Sequence, residues 1–116
     1  MRDACFDCVR KHIAQAIVLT NEAQLGYPTH RWLAIGHLAE AEAESILVEP
    51  NFADRLRRMR LQLMDGKNDP ALLMQFLEEA MGYAKKDYTK QIEAMQADIL
   101  CKMGLATHVA DWSKHG

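Results

Sequence analysis

Apolar side chains recur every three or four residues along most of this chain. Val9, Ile13, Ala16, Leu19 and Ala23 form one such stripe, and Leu33, Ala34, Leu38 and Ala41 a second. Phe52, Leu56, Met59 and Leu63 form a third. A fourth runs without a phase slip through Leu73, Leu77, Ala80, Ala84, Tyr88, Ile92, Met95, Ile99 and Met103. This is the period of amphipathic α-helices, and no segment shows the strict alternation of a strand, so the predicted fold class is all-α. Punctuation divides the stripes. Gly26 stops a first helix over 3–24, and Tyr27-Pro28 makes a turn. Thr29 is a candidate N-cap for a second helix over 30–47. Pro50 ends the connection, and Asn51 followed by Asp54 resembles a capping arrangement for a third helix over 52–65, closed by Gly66. Asp69-Pro70 reads as a capping acid with Pro at the first helical position, and Gly104 as the stop of the helix it begins. The fourth helix is predicted to be unbroken, on the order of 50 Å long. A break near Gly82 or Asp87 would divide it in two, since Gly in a helix interior costs ~1 kcal/mol. The expected architecture is an antiparallel bundle of four helices, or five if that break occurs. It forms one domain over 1–104, with a short tail over 105–116 docked by Trp112.

Composition narrows the class without naming a function. With 116 residues, 49% hydrophobic and 26% charged, the chain can bury a core without crosslinks. A net charge of −2 gives no bulk attraction to nucleic acid or to a membrane surface. No apolar run approaches the ~20 residues of a membrane span. The N-terminus, Met1-Arg2-Asp3-Ala4-Cys5, lacks the charged-then-apolar layout of a signal peptide, so a cytoplasmic protein is expected. Three cysteines, an odd number in a reducing compartment, do not read as a disulfide framework.

One cluster departs from the ordinary pattern. Cys5, Cys8 and His12 are spaced i, i+3, i+7 and fall within or beside the apolar arc of the first helix. His37, Glu40 and Glu44 repeat that spacing on the second helix. In an antiparallel hairpin about 25–28, counting outward sets His12 level with Glu42 and Cys8 level with Ile46. Glu40 and Glu44 flank His12, and His37 lies nearer the turn. Three readings compete. In the first, the cysteines are small buried hydrophobes, His12 pairs with Glu40 or Glu44, and the run Glu40-Ala41-Glu42-Ala43-Glu44 is mostly a solvated face. In the second, Cys8 and His12 join one or both of Glu40 and Glu44, with Cys5 or His37 as alternates, around a zinc or iron ion. Thiolate, imidazole and carboxylate are all zinc ligands, and bundles build metal sites from facing helices. A second Cys-x-x-Cys is missing, and the Glu-x-x-His pair of di-iron bundles is missing too, since His37-x-x-Glu40 runs in reverse. In the third, Cys5 and Cys8 are a redox pair in the first turns of a helix, where the dipole lowers a thiol pKa. Redox Cys-x-x-Cys motifs normally sit in a βαβ context, which this sequence lacks.

Other features are blander. Arg55, Arg57, Arg58 and Arg60 could contact phosphates, but no aromatic residues interleave with them, and they read as the solvated flanks of an amphipathic helix. Glu78-Glu79 evokes the helical nucleotide pyrophosphohydrolases, yet Gly82 stands where the third acid of that motif belongs. Seven methionines suit an irregular core or an adaptable binding surface. The stretch Cys5-Phe6-Asp7-Cys8-Val9-Arg10-Lys11-His12, with Gly26-Tyr27-Pro28 and Gly36-His37-Leu38-Ala39-Glu40-Ala41-Glu42, resembles small uncharacterised helical proteins encoded by bacterial viruses. The resemblance covers about the first 45 residues; it implies an origin and carries no activity. No catalytic constellation stands out. The expected function is that of a non-enzymatic accessory or regulatory protein that binds a partner protein or a second copy of itself, with no nucleic-acid or membrane partner. A metal-binding bundle with its ion between the first two helices is the alternative.

Overall fold

The computed structural model describes residues 5–104. They form five α-helices: α1 Phe6–Gln24, α2 His30–Ser45, α3 Pro50–Met64, α4 Pro70–Tyr83 and α5 Thr89–Lys102. The all-α expectation therefore holds, with no strand among the described residues. Among the same residues, no helix is long and apolar enough to cross a membrane. The expected docking of Trp112 falls outside them.

The unbroken fourth helix is not found, because the chain leaves helical geometry between Tyr83 and Thr89. Gly82 lies in the last turn of α4, and the amides of Lys85 and Lys86 close tight turns onto the carbonyls of Gly82 and Tyr83. Asp87 then starts the next helix, its Oδ1 accepting from the Thr89 amide at 3.0 Å. The apolar stripe keeps its phase across this break, which is why periodicity alone did not reveal it. The chain also divides into two compact units at this point in the sequence: one spans Arg2–Lys86, and the other begins at Asp87. In the second unit, α5 carries a Lys102–Asp98 pair at 2.9 Å, one turn apart on an exposed face.

Most helix boundaries follow the punctuation. Asp69 caps α4 through its side chain, which accepts from Leu72 N at 3.1 Å, and Pro70 takes the first helical position. Gly66 has φ +83° and lets Lys67 N reach back to Gln62 O at 2.9 Å, the wrap that satisfies the last carbonyls of α3. Two caps differ from expectation. Glu49 holds the N-cap of α3 and Pro50 is its first residue, so Asn51 and Asp54 lie inside the helix. Proline needs no partner for the amide it lacks, and that position needs none. Thr29 sits at the N-cap of α2 but is already helical, with φ −65° and ψ −23°, and its side chain makes no capping bond. Backbone turns enter α2 instead, His30 N donating to Tyr27 O at 2.9 Å.

Within the Arg2–Lys86 unit, α1 packs on α2 and α4, and α2 packs on α3. Val9, Ile13, Leu38, Phe52, Leu56, Met59, Leu63, Leu73 and Phe76 are fully buried. Phe6, Phe52, Phe76 and Tyr83 form an aromatic cluster that joins α1, α3 and α4; Phe52 meets Phe76 edge-on at 5.8 Å and Tyr83 at 5.4 Å. Arg55 lies over the Phe52 and Phe76 rings and holds Glu79 through two bonds of 2.9 and 2.8 Å. Arg60 reaches Glu42 on α2 at 3.1 Å. Arg58 pairs with Asp54 within α3. Arg55 and Arg60 thus tie α3 to its neighbours rather than forming a purely solvated flank.

Candidate metal centre

Cys5 is the N-cap of α1. Its extended backbone, φ −127° and ψ 91°, turns the side chain over the first turn, where Sγ accepts from Cys8 N at 3.2 Å. The Cα atoms of the two cysteines are 5.2 Å apart, and their sulfurs are joined as a disulfide. Both residues are half-buried. The third cysteine, Cys101, is free and exposed on α5. From the sequence the three cysteines do not read as a disulfide framework, although a Cys5/Cys8 redox pair is one of the three competing readings. The bond that forms closes four residues within one helical turn, so it crosslinks no two helices.

His12 follows Cys8 by one turn and meets α2 directly. Its Nδ1 lies 2.9 Å from Nδ1 of His37, and the rings are 5.2 Å apart at a 39° tilt. One nitrogen must donate and the other accept, so the contact requires at least one ring to be neutral. Burial pushes the His37 pKa below the ordinary histidine value; the charge of His12 acts in the same direction, and Glu40 opposes it. A neutral imidazole is the form that binds metal.

Glu44 is buried on the same side of α2, with 6% of its surface exposed. A carboxylate oxygen of Glu44 and the sulfurs of Cys5 and Cys8 all lie within 4.8 Å of one another. Glu44 also belongs to a second group with His12 and Glu40 under the same limit. Two adjoining ligand clusters, one sulfur-bearing and one of imidazole and carboxylates, therefore share a buried carboxylate. Donors on one tetrahedral zinc at ~2.0–2.3 Å lie roughly 3.3–3.8 Å apart, so the two disulfide-bonded sulfurs must part before both can bind one ion.

All six residues singled out in the sequence come to this seam. Cys5, Cys8, His12, Glu40 and Glu44 enter the two groups, and His37 joins through His12. The expected levels are shifted. His37, placed nearer the turn by counting, is the direct neighbour of His12, whereas Glu42 turns to Arg60 on α3. The reason is rotational. Successive residues of a helix point about 100° apart, so the residue nearest in level need not face the seam. Sequence reasoning also missed the pair at the other end of α1, where His30 Nδ1 meets Glu22 Oε2 at 2.6 Å and Tyr27 stacks on His30. No protein-family model, curated protein or solved structure matches the chain.

Proposed function

We propose that this protein is a metal-binding helical bundle whose α1 and α2, running antiparallel, hold one ion of the zinc class. In this reading Cys5 and Cys8 supply thiolates, His12 an imidazole and Glu44 a carboxylate. His37 fixes the orientation of His12, and Glu40 lies beside it as a further oxygen donor. The observation that carries the reading is Glu44, a buried carboxylate common to the sulfur cluster and the imidazole cluster. Two thiolates favour zinc or iron over magnesium or calcium, which select all-oxygen sites. Four protein ligands leave no open position, so the role is structural: the ion ties α1 to α2.

The test is elemental analysis of untagged protein purified and kept reduced. About one zinc or iron per chain is expected. A content below ~0.2 per chain, with none taken up on addition of zinc, overturns the reading, because structural sites bind with apparent energies of about 10 kcal/mol or more.

A second role, binding a partner protein or a second copy of the chain, is favoured by a different observation. Leu25, Tyr27, Trp32 and Leu33 are exposed around the turn that joins α1 to α2, away from the metal ligands. Large apolar groups gathered on a surface are how interaction sites are recognised. Light scattering at micromolar concentration addresses self-association: a mass of twice the chain is expected if the surface binds a copy, and a compact monomer removes the dimer.

A further inference from the structure

The sulfur pair that the proposed centre uses is closed as a disulfide in this structure. The same two atoms cannot be a disulfide and a pair of thiolate ligands. We propose that the Cys5–Cys8 pair is a redox gate on the metal centre: reduced, it holds the ion with Glu44 and His12, and oxidised, it releases it. This rests on the metal-binding reading above.

The geometry allows the change with little rearrangement. Cys5 and Cys8 lie one turn apart at the start of α1, and α1 is intact from Phe6 onward with the disulfide in place. The bond spans four residues of one turn, so it links no two helices. Both cysteines are half-buried, not sealed in the core. What remains after oxidation is His12, Glu40 and Glu44, three donors without a thiolate. In the metal-bound form the ion joins the sulfurs to Glu44 on the facing helix, and so the redox state of one turn of α1 is read out as the strength of the α1–α2 tie.

The step balances with a small-molecule disulfide of the glutathione class as oxidant. The two metal–sulfur bonds and the oxidant's S–S bond break, and the Cys5–Cys8 S–S bond forms. The two thiolates give up two electrons, and the oxidant takes them with two protons to become two thiols. The divalent ion leaves. Exchange of this kind proceeds by thiolate attack through a mixed disulfide.

The experiment uses full-length protein carrying Cys101→Ser, which removes the exposed thiol from the count. The protein is reduced, freed of reductant under inert gas, loaded with zinc, and titrated with oxidised glutathione. Released zinc is followed with a chromophoric indicator, remaining thiols are counted, and far-UV circular dichroism monitors the helices. The expected result is one zinc released for every two thiols lost, recovery on re-reduction, and zinc binding more than about 100-fold weaker in the oxidised form, beyond the loss caused by altering a group behind a ligand. Equal zinc affinity in the two forms overturns the gate and leaves the metal reading standing. No zinc binding by the fully reduced protein overturns both. A Cys8→Ser chain that stays helical and releases zinc to oxidised glutathione as readily as the parent also overturns the gate.

Discussion

Nδ1 of His12 and Nδ1 of His37 face each other across the α1–α2 seam at 2.9 Å. Each ring therefore fixes the orientation and tautomer of the other. If His12 binds metal, His37 controls which way its imidazole points. Altering such a supporting group typically costs 10–100-fold in affinity, so His37→Ala is expected to weaken zinc binding by about that factor with His12 untouched. Competition with a chromophoric chelator measures it, and an unchanged affinity removes His37 from the site.

Glu44 and Glu40 should not be equivalent. Glu44 is buried and belongs to both ligand groups, whereas Glu40 is exposed and belongs to one. Glu44→Gln, which keeps the shape and removes the charge, is expected to abolish stoichiometric zinc binding. Glu40→Gln should lower affinity by about tenfold or less. The reverse order in the same chelator assay would place the ion at the outer edge of the seam.

Metal removal should be visible in stability. A ligand that binds only the folded state at 100 times its dissociation constant adds about 2.7 kcal/mol. For a unit of this size that raises the melting temperature by roughly 10 °C or more. Reduced protein with zinc should therefore melt well above the same protein in excess chelator. Oxidised protein should show no such difference.

The Arg55–Glu79 pair lies outside the candidate centre. Its side chains are 42% and 36% exposed, so solvent screens it. A double-mutant cycle of Arg55→Met and Glu79→Gln should give a coupling of about 1 kcal/mol or less. Arg55→Ala alone should cost more than the coupling, since it also uncovers the Phe52 and Phe76 rings. By comparison Phe52→Ala, at the centre of the aromatic cluster, should cost about 3–5 kcal/mol in chemical denaturation.

The fold was legible where local chemistry decides it. Asp69-Pro70, Gly66 and Gly26 act over one turn, and their signals carried through to the structure. The break between α4 and α5 was not legible from the stripe, because Ala84 and Tyr88 keep the helical phase while Gly82 and Asp87 end and restart the backbone. The candidate centre was legible as a set: Cys5, Cys8, His12, His37, Glu40 and Glu44 share spacings that put each trio on one side of its helix. Their pairing across the seam was not. It depends on the rotation of α1 against α2, which Val9, Ile13, Ala34 and Leu38 set through packing. The roles of Arg55 and Arg60 were hidden for the same reason, since Glu79 and Glu42 lie on other helices.

The division at Lys86 yields a further expectation. All of α1 to α4, and with them the aromatic cluster and the candidate centre, belong to the Arg2–Lys86 unit. A chain ended after Lys86 should keep its helical circular dichroism, a single cooperative melt and the zinc affinity of the parent. A broad, non-cooperative melt would show instead that the residues from Asp87 onward are needed for the unit to fold.

Every side chain of the candidate centre precedes Ser45, whereas Phe52 and Phe76, at the heart of the core, come later. A chain is synthesised from its N-terminus at about 5–20 residues per second. The complete ligand set thus leaves the ribosome ahead of the aromatic residues that close the core. On the proposed metal reading, an ion captured at that stage would pair α1 with α2 before burial of Phe52 and Phe76 can. The supply of metal during synthesis, and the redox state of Cys5 and Cys8 at that moment, would then govern how many nascent chains reach the folded state.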